Sequence, residues 1–244
     1  MKDLHELLGL PKPTVSRLAR ELERGRYLQQ VGRAYEIGPK TFELGSLFVR
    51  QHRFDEVAEL HLHALAAETR QTACLALLAG REVVNILVAS SPQPVQYVAH
   101  VGDRDPAHTT GLGKVLLAQL PDERVKEMYS EALLNRFTPK SIGDLRALLA
   151  ELRRTRKRGY GIDDEETALG LRCVAVGFEV PGFGQTGMSV SGPTADYDDH
   201  AIAFFVEAIR RTASRLTDTL EETSGLYVNA QAQVAGGDVS ATET

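Results

Sequence analysis

GLPKPTVSRLARELERGRYL, residues 9–28, is the stretch on which the reading of this chain turns. Val15, Leu18, Ala19 and Leu22 recur at the i, i+3, i+4, i+7 spacing of one helical face, which predicts a helix with a single buried stripe. Thr14, Ser16, Arg17, Arg20 and Arg24 fall on the other side. Pro13 suits the first turn, where its missing N–H would be unpaired anyway and its φ is already helical, so the helix is expected to begin near Lys12. Ahead of it Leu4, Leu7 and Leu8 keep helical spacing until Gly9-Leu10-Pro11 breaks the run. Helix, turn and second helix form a helix-turn-helix pattern. In that pattern Thr14, Ser16 and Arg17 face base edges in a major groove, while Lys12, Arg20 and Arg24 neutralise phosphates.

Working outward, residues 27–30 and 34–37 form a hairpin-like pair around residues 31–33, with Arg33 at the tip of a wing. On spacing alone the helix is equally an ordinary amphipathic segment with a solvated basic face. The adjoining hairpin and the distribution of charge favour DNA. The 244-residue chain carries a net charge of −5, yet residues 1–53 hold ten Lys/Arg against six Asp/Glu, a surplus of four that leaves −9 for the remainder. A basic head on an acidic body fits contact with double-stranded DNA through one end.

A hydrophobic content of 43% and a charged content of 25% are ordinary for a soluble globular chain, and the length allows one or two domains. With no apolar run near the ~20 residues of a membrane span and no signal-peptide pattern, a cytoplasmic protein with no membrane partner is expected. Cys74 and Cys173 lie far apart in apolar runs and read as buried thiols, so neither a disulfide nor a metal site is indicated.

Residues 41–53 read as a helix with Phe42, Leu44, Leu47 and Phe48 on its apolar side, serving as a plain linker or as a carrier of dimer contacts. Residues 54–70 form another helix, in which His61 and His63 at i, i+2 point to different faces and suit no shared metal. A hairpin follows at 72–78 and 83–89, then a strand at 95–101, helices at 111–119, 122–129 and 144–158, strands at 173–180 and 187–191, and a long helix at 198–223. The run RRTRKR, residues 153–158, sits at a helix C-terminus where the dipole favours cations, and reads as a solvated end rather than a second DNA patch.

Gly111 and Gly113 open an apolar helix and leave free backbone N–H groups at its N-terminus, a site for a carboxylate or phosphate. Asp163 is expected on a loop; Ser189 and Ser191, at i, i+2, point to one side of a strand. The amides of Gly111 and Leu112 with those two hydroxyls would hold an oxyanion, and Asp163 and Cys173 would read its other end. Each part also has a plain packing explanation: the glycines allow close approach, Cys173 is a core thiol, and Ser189 marks a strand edge. A nucleophilic Cys173 with His100 or His108 as base is the enzymatic alternative, though no motif joins them.

GLPKPTVSRL, GRYL and YEIGPK resemble the winged helix-turn-helix of the IclR family of bacterial transcription regulators. HTTGLGKVLLA, RGYGIDDEE, LRCVAV and MSVSGPT, in this order, resemble its ligand-sensing domain, so the likeness runs from about residue 4 to residue 220. It implies an α+β fold: a winged helix-turn-helix domain at 1–40, a linker helix at 41–53 and a GAF-like antiparallel-sheet effector-binding domain at 54–224; the Ala, Gly, Thr, Ser and Gln composition beyond Leu226 predicts a disordered tail at 225–244. The implied function is a DNA-binding regulator, not an enzyme, with no catalytic residue, metal or cofactor, whose affinity for its operator is modulated by a small carboxylate. Gly111, Leu112, Asp163, Cys173, Ser189 and Ser191 are the implied pocket, and homodimers or homotetramers on palindromic operators are the implied assembly. Three departures stand out. Pro13 replaces a usual Ser, Leu112 replaces a small residue and so alters the ligand's size, and the chain starts at Met1 without the family's earlier helix. The last predicts an upstream start or a truncation, and with it an alternative function as a sensor that has lost autonomous DNA binding.

Overall fold

A computed structural model describes residues 2–32, 34–52, 56–130, 134–180 and 184–236, which divide into two units, Met1–Asp55 and Glu56–Thr244. The first holds α1 (Lys2–Leu8), α2 (Lys12–Arg24), β1 (Leu28–Val31), β2 (Ala34–Ile37) and α3 (Pro39–His52). Gly9, at φ +64°, turns the chain between α1 and α2, and the Pro11 carbonyl accepts the first N–H groups of α2 from Thr14 and Val15. The expected stripe is only half realised. Val15 and Ala19 are 3% and 5% exposed, but Leu18 and Leu22 remain 45% and 44% exposed. The reason is packing area: among the described residues α2 packs chiefly on α1 and β1, which leaves Leu18 and Leu22 largely uncovered. In the hairpin Leu28 pairs with Ile37 and Val31 with Ala34, so Val31 belongs to the strand rather than to the turn. Arg33 lies outside the described residues. On α3, Phe42, Leu44 and Leu47 are exposed; the side chain of Phe48 is outside the description.

The second unit is a six-stranded antiparallel sheet with helices on both faces. Its strands are β3 (Thr72–Ala79), β4 (Glu82–Ala89), β5 (Arg104–Pro106), β6 (Gly161–Asp164), β7 (Leu171–Val180) and β8 (Gly184–Pro193), in the order β5-β4-β3-β8-β7-β6. The alternation of side chains along each strand separates two cores. Helices α4 (Glu56–Thr69) and α8 (Asp199–Gly236) cover one face. The other face carries Cys74, Ala76 and Ala175 against α5 (Gly111–Ala118), α6 (Asp122–Tyr129) and α7 (Leu145–Arg158), with Leu116, Leu117, Leu148 and Leu152 fully buried. Each such leucine contributes roughly 1.5–3 kcal/mol on leaving water. Helix α5 lies directly on the sheet because a Cβ at Gly161 would sit 2.3 Å from the Gly111 carbonyl oxygen. No helix among the described residues is long and apolar enough to cross a membrane.

Three sequence expectations change here. Residues 95–101 are not a strand: Val95, Val98 and Val101 are exposed, and the Tyr97 carbonyl accepts from the Thr72 hydroxyl at 2.6 Å instead of from a neighbouring strand. Gly102, at φ +90°, turns the chain, and β5 takes the edge beside β4 through Val84 and Arg104. Apolar alternation reports faces, not backbone partners. Asp163 is in strand β6, paired with Cys173, rather than on a loop. Helix α8 continues to Gly236, past the point where order was expected to end, since Ala and Gln are good helix formers; residues 237–244 lie outside the described residues. The basic run 153–158 is an exposed helix end, as expected, and its arginines are paired there. Arg156 donates to the Ala118 and Leu120 carbonyls and to Asp122 at 2.6 Å, while Arg154 and Arg158 pair with Glu151.

Candidate effector-binding site

Strand register assembles the site. Cys173 faces Asp163 on one side and Ser191 on the other, Ser191 faces Thr72, and Ser189 faces Cys74, all on the face that carries α5. Between this face and α5 lies a cavity of about 30 Å³, room for about two waters. Leu112, Asp163, Cys173, Ser189 and Ser191 line it. Gly111 backs the wall instead: a Cβ there would lie 3.1 Å from the Cys173 sulfur. A larger cleft of about 610 Å³ opens beside Arg81, His108, Tyr129 and Asn135 and includes none of those five.

Thr110 caps α5, its hydroxyl accepting from the Gly113 N–H at 2.9 Å while its carbonyl accepts from the Lys114 N–H. The Leu112 N–H finds no acceptor among the described residues, so the positive end of the helix faces the cavity with a donor to spare. Asp163 accepts from the Glu166 N–H at 2.7 Å and the Thr167 N–H at 3.3 Å, yet burial still raises its carboxyl above the ordinary range. Behind the cavity, fully buried Lys114 donates to the Ile162 carbonyl at 2.7 Å and pairs with Glu166. Burial pushes Glu166 upward, against the pull of Lys114.

Burial drives the Cys173 thiol up to about 11, against the pull of the Ser191 hydroxyl. It is protonated at neutral pH and a poor nucleophile. His108 donates from Nε2 to the Asn135 carbonyl at 2.9 Å in the larger cleft, and exposed His100 pairs with Asp103, so neither stands with Cys173 as base.

Sequence reasoning missed Asn85, Tyr97, Asp105, Thr110 and Thr167, which complete the cavity wall. Two signals were present. Thr110 ahead of a helix is an N-cap pattern, and Asn85 is a polar residue within the apolar strand EVVNILVA. In the first unit Lys12, Arg17, Arg20 and Arg24 are exposed along α2, with Thr14 and Ser16 half-buried. Arg20 donates to the Ser16 carbonyl at 3.3 Å and Arg24 pairs with Glu21 at 3.3 Å.

The family model for the bacterial transcriptional regulator IclR C-terminal domain matches residues 47–218, and that for the IclR helix-turn-helix domain matches residues 1–32. The chain belongs to the IclR family. It is 32% identical over 221 residues to the HTH-type transcriptional regulator KdgR of Dickeya chrysanthemi, spanning 89% of this chain and 72% of that protein. The crystal structure of the Thermotoga maritima IclR superposes with a TM-score of 0.67 at 28% identity, covering 90% of each chain. The inducer-binding domain of the transcription factor PobR from Acinetobacter, a double mutant in complex with 3-hydroxybenzoic acid, superposes with a TM-score of 0.61 at 30% identity, over 66% of this chain and 96% of that one. As an IclR-family member the chain is a transcription regulator with an effector-binding C-terminal domain, and its relatives are regulators rather than enzymes.

Leu112 limits the volume of this cavity, since it is buried and its Cδ2 would lie 3.0 Å from a Cβ at Gly187. Leu112→Ala is expected to lower stability by about 2–5 kcal/mol through the cavity it leaves. It should also admit bulkier acids: calorimetric titration with 3-hydroxybenzoate should give heat with the variant and none with the parent chain. Equal binding by both proteins would refute the limit.

Proposed function

We propose that this IclR-family regulator reads an operator with α2 and the β1–β2 wing, and that a small organic acid held between α5 and the sheet modulates its affinity. One observation carries the reading: five of the six candidate residues line a single cavity at the N-terminus of α5, where an unpaired N–H and the buried Ser189 hydroxyl, beside the Cys173 thiol, can receive an oxyanion. The hydroxybenzoate complex of the PobR domain supports the ligand class. Lys12, Thr14, Ser16, Arg17, Arg20 and Arg24, with Arg33 on the wing, are the DNA-contacting set, and exposed Phe42, Leu44 and Leu47 on α3 supply the apolar surface of a homodimer or homotetramer. The acid acts only as far as its affinity differs between the DNA-bound and free states.

The test is fluorescence anisotropy with a labelled fragment of the DNA upstream of the chain's own gene, from about 50 to 200 mM salt, with small carboxylic acids added. Saturable, salt-sensitive binding that an acid shifts is expected. Acid binding without any DNA binding would leave a sensor alone, and affinity indifferent to salt and sequence would refute the operator reading.

A further inference from the structure

The cavity is unequally furnished at its two ends. Near α5 stand donors, the Leu112 N–H and the Ser189 hydroxyl. Toward the β4–β5 edge stand acceptors. Asp105 faces Val83 across the β4–β5 pair and Asn85 follows two residues along β4, so both project onto the cavity face. Asn85 is 3% exposed and its Oδ1 has no hydrogen-bond partner. A buried acceptor left so forfeits its hydration without recompense, and native structures keep few of them without a use. The half-buried Asp105 carboxylate makes neither ion pair nor hydrogen bond among the described residues, and its charged surroundings are Asp103, Asp163 and Glu82. No Lys or Arg appears among the described residues lining the cavity.

We propose that Asn85 and Asp105 form a second pole that accepts hydrogen bonds from a hydroxyl or ammonium group, so that the effector is a hydroxy- or amino-substituted acid. This rests on the reading that the cavity holds a small acid. A plain carboxylate satisfies the donors at α5 and leaves Asp105 and Asn85 unpaired beside like charge. A ligand that carries a hydroxyl or ammonium satisfies both poles at once. Specificity of this kind comes from groups that remain unpaired when the wrong ligand binds.

The full chain should be titrated calorimetrically with propionate against 2-hydroxypropionate, 3-hydroxypropionate and 3-aminopropionate, and with butyrate against its hydroxy and amino derivatives. At least one substituted acid should bind about tenfold or more tightly than its parent, the worth of one hydrogen bond to a buried group. That preference should collapse in Asp105→Ala and shrink in Asp105→Asn. Parent acids binding as tightly as substituted ones, or a preference that survives Asp105→Ala, would overturn the second pole while the acid reading stands. Binding by none of these acids would overturn both. A ligand-free melt adds an independent check: Asp105→Asn, by removing an unpaired, partly desolvated charge, should raise the melting temperature. A fall would mean that Asp105 has a structural partner and would overturn the inference.

Discussion

Lys114→Met should destabilise the second unit by about 3–5 kcal/mol, because it strips the partner from a buried carboxylate. Lys114 and Glu166 join α5 to the segment after β6, and Lys114 also ties the Ile162 carbonyl to the same helix, next to Asp163, which lines the cavity. Glu166 has a second oxygen with no hydrogen-bond partner, and without Lys114 nothing offsets its desolvation. The penalty should therefore depend on pH. A carboxyl whose folded pKa is raised binds protons more tightly in the native state than in the unfolded one. Stability then falls as pH rises from the ordinary carboxylate range toward the folded value. The parent chain carries this slope up to about 7, where Glu166 stands with Lys114 beside it, and in the variant, without that opposing pull, the slope continues to higher pH. Urea denaturation at pH 5, 7 and 8.5 should give a loss that grows with pH, and Lys114→Met/Glu166→Leu should recover most of it. A loss that is small or flat with pH would mean that the pair contributes little to the fold.

Arg17→Ala and Arg20→Ala should fail in different ways on DNA. Arg17, on the exposed face of the first turns of α2, is assigned to base edges, so its loss should cost about 1–3 kcal/mol per head on the correct operator and relax sequence preference. Arg20, already turned toward the Ser16 carbonyl, is assigned to phosphate. Removing it should weaken binding to every sequence and lower the salt slope by about one per head. Anisotropy on operator and scrambled duplexes across a salt series separates the two. Identical behaviour of the variants, or no change in either, would show that α2 does not enter the groove this way.

The elements most legible in the chain were those whose signal is local. Pro13 and Gly9 bounded α2, the leucine periodicity placed α1, and the turn at residues 79–82 placed the β3–β4 hairpin within a residue or two. The failures share a cause. Leu18 and Leu22 obey helical periodicity and still face water, because burial depends on what else the unit contains. Residues 95–101 obey strand alternation without a ladder, because pairing belongs to whichever strand reaches the edge first, and β5 holds it. Arg156, read as a solvated cation, is exposed and also closes the Ala118 and Leu120 carbonyls at the end of α5, 38 and 36 residues earlier in the chain, a pairing that periodicity does not reveal.

The sequence by itself determined which side chains carry the chemistry, since hydroxyl, thiol, carboxyl and guanidinium are fixed by residue type, and ordered motifs reveal their kinship. Only the tertiary structure decided which of them meet. Asp163, Cys173 and Ser191 become neighbours through strand register, and Asn85 and Asp105 join the same cavity from the β4–β5 edge. Register and burial are properties of the whole sheet, set by long-range pairing and packing that no short window of sequence contains.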